Sequence, residues 1–387
     1  MKKNSIINSK NIILLGLVSM FVDMSTEMVY PIIPLFLATL GTAPYLIGLI
    51  EGVAESIAAL LKSFAGYFTD KYNSKKMFAV SGYLLSAVYK IGLILSSTWI
   101  GVLISRIIDR TGKGLRTAPR DSLIAESGGK KLGRSFGLHK MLDMLGSGLG
   151  VLIAYIILTN NYNFKSVILV SVIPALIGVC ILFFVKEKKK VAQANEKVSF
   201  KLKDIKLSKK LVMYLGVVFL FSIGNFSNVF LLLKAQNHGF DTQSVLLLYL
   251  LFNLTASFFS IPAGKFSDKF GRRSMVVPSY FLYGVIYFGF AIFDFNIAYI
   301  LLFFLYGVYT AMISGAERAL LVEMSPDCYK GTVLGLYGSM QGFGLLLSST
   351  FAGLLWSFAG NNTPFFAGGI LAIVSAFLIL FLKIGSK

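Results

Sequence analysis

Cysteine and histidine are scarce in this sequence, with two of each among 387 residues. Cys180 falls in a long apolar run and Cys328 in a short polar segment, so neither a disulfide nor a Cys–His metal site is expected. The chain also lacks a glycine-rich nucleotide loop, a His-Glu-x-x-His motif and a thiolate cluster. These absences argue against an enzyme, and we expect no cofactor and no bound metal.

Charged residues are also few. They make up 14% of the chain, whereas 56% of residues are hydrophobic and the mean hydropathy is +0.74. A soluble domain of this composition would expose large apolar patches. A helix that crosses a bilayer needs about 20 apolar residues, and the sequence contains about twelve such stretches. They are predicted at 12–39, 45–68, 77–97, 100–120, 135–158, 164–185, 211–233, 244–265, 275–294, 297–322, 333–357 and 364–383.

Acidic residues are outnumbered by basic ones, 18 to 37, which gives a formal net charge of +19. Between the predicted helices, nearly all lysines and arginines lie on the side of the N-terminus, whereas Lys165 and Lys234 lie on the other side. Basic residues favour the cytoplasmic side of a membrane. We therefore expect a multi-pass protein of the cell membrane, with both termini in the cytoplasm.

The basic excess does not indicate a nucleic-acid partner. Aromatic residues are spread through the apolar runs, and no basic segment carries the aromatic platform on which bases stack. The expected partners are the lipid bilayer, a small-molecule substrate and protons, and we expect a monomer.

One loop sequence occurs twice. Gly66-Tyr-Phe-Thr-Asp70-Lys is matched by Gly264-Lys-Phe-Ser-Asp268-Lys, 198 residues later, and each copy lies between two apolar runs. The same offset relates four further residues to four counterparts: Arg120, Leu123, Gly133 and Gly137 to Arg318, Leu321, Gly331 and Gly335. One duplicated unit therefore builds the chain.

The repeat predicts an all-α integral membrane protein of twelve transmembrane helices, arranged as two parallel six-helix repeats. Six helices in each half keep both copies in the same orientation. We expect an N-terminal bundle at 1–185 and a C-terminal bundle at 211–387. The lysine-rich segment 186–210 between them is the expected cytoplasmic linker.

The two loops resemble the signature of the major facilitator superfamily, with Asn73 in the first copy where glycine is usual and Gly271 in the second. The segment Arg110-Thr-Gly-Lys113-Gly114 is similar to that family's Arg-x-x-Gln-Gly pattern, with lysine in the glutamine position. The resemblance covers essentially the whole chain. It implies transport by alternating access, with helices 1, 4, 7 and 10 around a central cavity, and it leaves the cargo open.

The duplicated loops are candidates for a cytoplasmic gate. Carboxylates and basic side chains in such loops can form contacts in one conformation that break in another. The alternative is that these charges only end the helices and set topology, but topology alone would not require Gly and Asp to recur together. The candidate gate residues are Gly66, Asp70, Lys71, Lys75, Gly264, Asp268, Lys269, Gly271, Arg272 and Arg273.

Charged residues inside the predicted helices point to the central site. Each costs at least a few kcal/mol in lipid and must face a cavity or a partner. Acids recur four residues apart in helices 1 and 2, and helix 4 carries a polar stripe with steps of three and four. The candidate coupling and substrate residues are Asp23, Glu27, Glu51, Glu55, Lys90, Arg106, Asp109, Arg110, Lys113, Asn225, Asn228, Glu317 and Arg318.

The first hypothesis for function is a secondary active transporter that expels a small drug-like or metabolite molecule in exchange for protons. Asp23 or Glu27 would exchange the proton, and Arg110 would provide a competing counter-ion. The alternatives are an importer or facilitator of an anionic or zwitterionic solute, and a membrane sensor without transport. A further alternative for the charges themselves is a permanent ion-pair network.

Overall fold

The computed structural model describes residues 2–72, 74–128, 132–187, 208–325 and 330–382. These residues form helices joined by short turns, which confirms the predicted all-α class. The helices are α1 (Lys2–Val29), α2 (Ile33–Thr39), α3 (Pro44–Tyr72), α4 (Lys75–Leu95), α5 (Trp99–Gly128), α6 (Leu132–Thr159), α7 (Phe164–Phe183), α8 (Lys209–Gly224), α9 (Val229–His238), α10 (Thr242–Phe270), α11 (Arg273–Ile292), α12 (Asn296–Met324), α13 (Lys330–Ala359) and α14 (Thr363–Phe381).

Most of these helices are suited to a membrane. Within the described ranges, eleven spans are long and apolar enough to cross one. Two of the spans, Lys10–Thr39 and Lys209–His238, each contain two consecutive helices. The twelfth crossing is α5, which has 30 residues but carries the charged stripe that lowers its hydropathy. The chain is thus a multi-pass membrane protein.

The first predicted helix, 12–39, is interrupted by a 3₁₀ turn at Tyr30–Ile32. Pro31 lies in this turn. Proline has no backbone N–H to donate, and its ring clashes with the preceding helical turn. Pro34 then lies in the first turn of α2, where a missing N–H is tolerated. The two prolines therefore account for the break.

The seventh predicted helix, 211–233, is interrupted between Gly224 and Val229. Neighbouring helices satisfy the freed backbone groups. The Tyr283 hydroxyl donates to the Gly224 carbonyl at 3.1 Å, and the Ser348 hydroxyl donates to the Asn225 carbonyl at 3.2 Å. With the 198-residue offset, the first break at 30–32 corresponds to 228–230, within about three residues of the second break at 225–228, so both repeats interrupt their first helix in the same region.

The described contacts divide the chain into two compact units. Unit 1 comprises Met1–Gly41 and Ile57–Val198, and unit 2 comprises Thr42–Ser56 and Ser199–Lys387. The start of α3 therefore groups with unit 2, where the Ser56 hydroxyl donates to the Gly342 carbonyl at 2.8 Å. The domain limits given above stay a prediction, since most of the linker lies outside the described residues.

Each unit has its own packing scheme. In unit 1, α1 packs on α6 and α7, and α4 packs on α5 and α7. In unit 2, α10 packs on α12, α11 packs on α12 and α14, and α8 packs on α13 and α14. The core of unit 2 is rich in aromatic rings: Phe221 stacks on Tyr280 with ring centroids 3.7 Å apart, and Tyr283 stacks on Tyr287 at 3.9 Å. The aromatic residues of this half therefore serve largely as core.

Glycines allow α1 and α6 to touch along their backbones. A Cβ atom at Gly146 would lie 2.1 Å from the Met20 carbonyl oxygen, and one at Gly150 would lie 2.3 Å from that of Met24. The two glycines are four residues apart and thus share one face of α6. The structure confirms that this pair serves close helix packing.

Replacing Gly146 by alanine is expected to destabilise unit 1. The new methyl group would overlap a backbone oxygen, which cannot move as a side chain does, and overpacking of this kind costs about 1–3 kcal/mol. The purified protein in detergent should therefore unfold at a lower temperature. Gly148→Ala is the matched control, because a Cβ there meets nothing within 4 Å. Equal unfolding temperatures for the two variants would contradict the close crossing of α1 and α6.

Candidate functional site

A buried ion cluster lies along the polar stripe of α5. Asp109 accepts from two guanidinium groups: its Oδ2 atom is 3.4 Å from Nη1 of Arg106 and 3.5 Å from Nη1 of Arg110. All three side chains are at most 3% exposed. Because Arg106 lies three positions before Asp109 and four before Arg110, helical spacing places both of them next to Arg106 on one side of α5.

Helix α4 supplies the other side of this cluster. The Ser86 hydroxyl donates to Oδ1 of Asp109 at 3.4 Å and accepts a hydrogen bond from Arg116. The buried Lys90 ammonium donates to the Ser86 carbonyl at 2.6 Å. Ser86 therefore connects three charged side chains. No sequence pattern singled it out, since a serine in an apolar run is ordinary.

Aromatic rings lie over the arginine side chains of the cluster. The guanidinium carbons of Arg106 and Arg110 lie 5.6 and 5.8 Å from the centre of the Tyr30 ring. Arg116 lies 4.9 Å from the centre of the Tyr83 ring. Cation–π contacts of this kind favour a cation that has lost its water. Since Tyr30 belongs to the 3₁₀ turn, the break in the first span is what presents its ring to α5.

Asp23 lies beside a second carboxyl group, that of Asp143 on α6. The two side chains are within hydrogen-bonding reach, and the charges of Arg116 and Arg120 also act on Asp23. The Ser19 hydroxyl donates to Oδ1 of Asp143 at 2.7 Å. Sequence reasoning left Asp143 out of the candidate site, because the partner is 120 residues away and only the packing of α1 on α6 joins the pair.

The remaining candidates of the first half are more scattered. Glu27 is half-buried on α1, and Lys113 is exposed on α5. Glu51 is fully buried and Glu55 half-buried on α3. Both glutamates lie in the segment that groups with unit 2, so the structure places the acids of helix 1 and helix 2 in different units.

In unit 2, a carboxylate is enclosed by hydroxyl and amide donors. Glu317 on α12 is 4% exposed. The Tyr280 hydroxyl donates to its Oε1 atom at 2.5 Å, and the Tyr337 hydroxyl donates to Oε2 at 2.6 Å. Gln341 donates to Oε2 at 3.4 Å and to the Tyr337 oxygen at 2.6 Å. The neighbouring Arg318 is exposed. We call Glu317, Tyr280, Tyr337 and Gln341 together the Glu317 cage.

The two candidate asparagines take part in the broken span of unit 2. The side-chain oxygen of Asn228 accepts from the Tyr306 hydroxyl at 2.7 Å. Asn225 ends α8, and its carbonyl accepts from Ser348 as described above. Both contacts join the break to neighbouring helices.

Comparison with known proteins shows which family this fold belongs to. The family model described as Major Facilitator Superfamily matches the chain twice, over residues 15–253 and 212–386. The chain belongs to the major facilitator superfamily. The family inferred from the two loop motifs and the helix 4 pattern is thus confirmed, and the chain is an MFS-type membrane transporter.

Individual relatives support this assignment. An uncharacterised MFS-type transporter of Methanocaldococcus jannaschii is 38% identical over 381 residues, covering 97% of this chain and 95% of the relative. Multidrug resistance protein MdtH of Shigella dysenteriae is 25% identical over 150 residues, 38% of this chain and 37% of that protein. A crystal structure of a mutant of the nucleoside transporter NupG has a TM-score of 0.81 at 14% identity, covering 96% of this chain and all of that one. This last likeness concerns the fold alone.

The second copy of the superfamily loop forms a compact network in unit 2. Asp268 pairs with Arg272 across the turn, and Nε of Arg272 donates to Oε1 of Glu323 at 3.2 Å. The hydrogen bond that Arg272 donates to Asp268 raises the pKa of Arg272 above its ordinary value, although partial burial opposes this. Gly271 adopts a φ of 88°, a conformation that favours glycine. The loop thus connects the ends of α10, α11 and α12.

The loop also reaches α14, because Arg273 donates to the Leu380 carbonyl at 2.6 Å. Gly264 and Lys269 are exposed on the last turns of α10. In the first copy, Lys75 contacts Glu126 at 2.5 Å. The surroundings of Gly66 and the side chains of Asp70 and Lys71 lie outside the described part of the structure. The gate role of both copies stays a prediction.

Replacing Asp109 by asparagine is expected to destabilise the transporter strongly. The change removes the carboxylate that both Arg106 and Arg110 contact, and breaking a buried ion pair from one side costs about 3–5 kcal/mol. Thermal unfolding of the purified protein in detergent measures the loss. Asp268→Asn is the control, since its partner lies at the surface and exposed pairs contribute about 1 kcal/mol or less. If both variants unfolded at the same temperature, the buried cluster around Asp109 would not contribute to stability as predicted.

Proposed function

We propose that this protein is a secondary active transporter of the cell membrane that works by alternating access and expels a small drug-like or metabolite molecule in exchange for protons. The observation that carries the proposal is the pairing of Asp23 with Asp143. Ionised carboxylates have only acceptor atoms, so a hydrogen bond between two of them requires a shared proton. The pair is therefore a natural proton-binding site.

The surroundings of this pair suit reversible proton binding. Asp23 lies beside the carboxyl group of Asp143, and the positive charges of Arg116 and Arg120 act on it from α5. A small change in the distance between α1 and α5 would shift that balance. Helix α1 leads directly into the 3₁₀ turn that holds Tyr30 over Arg106 and Arg110. Movement of α1 would therefore also alter the charged cluster around Asp109.

The outward direction of transport is proposed from the likeness to one relative. The multidrug resistance protein MdtH is similar to this chain over 38% of its length. Its name refers to multidrug resistance, and for this chain we propose export, which would remove a drug from the cell. Efflux in exchange for protons makes the protein an antiporter. Both termini then lie in the cytoplasm, as the basic residues on that side of the sequence favour.

A second candidate function is favoured by the bases of unit 1. Arg106, Arg110, Arg116 and Lys90 are all at most 5% exposed and lie around Asp109. A group of buried bases could bind the anionic part of a solute. Under this alternative, the protein imports or facilitates the passage of an anionic or zwitterionic molecule, and the proton pair has a smaller role.

The first test compares cells that contain the wild-type protein, no protein, or the Asp23→Asn variant. Untargeted profiling of intracellular metabolites and of added antibiotics should reveal compounds depleted by the wild type only. Asparagine at position 23 cannot exchange a proton, so the depletion should be lost, and Glu27→Gln tests the second candidate acid. Asp241→Asn is the control, because Asp241 is an exposed helix cap and asparagine can also cap.

Once a compound is found, uptake into proteoliposomes with an imposed pH gradient separates the two functions. Proton-coupled efflux predicts that Asp23→Asn abolishes pH-driven flux. Anion import predicts instead that Arg110→Ala abolishes flux, with only a small effect of Asp23→Asn. Identical profiles for all cell lines would contradict transport of the compounds tested, and would leave the role of a sensor.

A further inference from the structure

A polar cavity lies in unit 2, away from the charged clusters described above. Its volume is about 410 Å³. The end of α9, the α11–α12 connection and the α13–α14 connection form it, so it opens at the ends of the spans opposite the α10–α11 loop. Its polar lining consists of Lys234, Asn237, His238, Asp294, Asn361 and Asn362.

Lys234 is the most constrained of these residues, because only 6% of it is exposed. Its ammonium group donates to the side-chain oxygen of Asn361 at 3.2 Å and to that of Asn362. Both acceptors are neutral. Among the described residues, no carboxylate forms an ion pair with this lysine. The charge of Asp294 acts on this lysine from a distance, but a buried ammonium whose direct partners are all neutral is costly, so an anion in the cavity would stabilise it.

The nearby acid, Asp294, contacts His238 rather than Lys234. The Oδ1 atom of Asp294 lies 2.7 Å from Nδ1 of His238, and the other ring nitrogen lies 3.0 Å from Oδ1 of Asn296. The Asp294 side chain is 90% exposed. His238 thus holds Asp294 at the rim, and the position beside Lys234 remains available to a ligand.

The walls fit a flat molecule with one carboxylate. An ammonium group has three N–H donors, and the two asparagines use two of them. Each asparagine keeps its own amide donors, which suit carboxylate oxygens. On another side, the Tyr299 ring stacks on His238 with centroids 4.3 Å apart, next to Phe293. The volume lies within the range of small-molecule sites.

We propose that this cavity is a binding site for a small organic carboxylate, which accepts the third N–H of Lys234. The site does not depend on the direction of transport or on the Asp23–Asp143 pair. It lies at the end of unit 2 opposite the α10–α11 loop. A failure of the proposed efflux would therefore leave this site untouched, and the reverse also holds.

Benzoate and its neutral analogue benzamide test the proposal, because they share shape and differ in charge. Saturation-transfer NMR with the purified protein in detergent should show transfer to benzoate and at least about tenfold weaker binding of benzamide, as expected when a charged hydrogen bond is lost. Lys234→Gln should weaken benzoate binding by a similar factor. Lys165→Gln is the matched control, since Lys165 is exposed at the end of another span.

Two further variants keep the test independent of folding. Asn361→Asp supplies an internal carboxylate to the ammonium group and should abolish benzoate binding although Lys234 is intact. Lys234→Arg retains the charge and should retain part of the binding. Equal binding of benzoate and benzamide, full binding by Lys234→Gln, or no binding of benzoate to the wild type would overturn the proposal.

Discussion

A charge placed inside a membrane-spanning helix must be offset by other groups of the protein, and this constraint shapes both units. In unit 1, the carboxylate of Asp109 meets two guanidinium groups, and a serine and the rings of two tyrosines lie around the same cluster. In unit 2, the Glu317 cage solves the same problem with neutral donors. The helices that supply the partners cannot move independently without exposing a charge to hydrocarbon.

This constraint links stability to function. A buried network that is fully satisfied holds helices together, whereas one that can exchange a proton or a ligand can change with conformation. The Asp109 cluster is closer to the first kind, since its contacts join opposite charges or a donor with an acceptor. The Asp23–Asp143 pair has the character of the second kind, because it is complete only with a proton. The pair lies on α1 and α6 and the cluster on α4 and α5. Tyr30, which directly follows α1, lies against Arg106 and Arg110, so a movement of α1 would affect both.

The duplication explains where the fold departs from regular helices. Both repeats interrupt their first helix in the same region, within about three residues of each other at the 198-residue offset, yet they do so by different means. Proline breaks the first one, and in the second, hydroxyl groups of neighbouring helices stabilise an interruption that no proline imposes. In unit 1 the break presents Tyr30 to the bases of α5, and in unit 2 it presents Asn228 to Tyr306.

The sequence by itself determined the class of protein, the twelve helices, the repeat and the family, because hydropathy and a fixed offset are properties of the linear chain. It also placed Arg106, Asp109 and Arg110 on one face, since helical spacing is local. Only the tertiary structure paired Asp23 with Asp143, enclosed Glu317 with Tyr337 and Gln341, and set Lys234 among asparagines of a distant loop. Those contacts depend on which helix faces which, and close packing of whole helices decides that, as at Gly146 and Met20. No short pattern in the sequence records it.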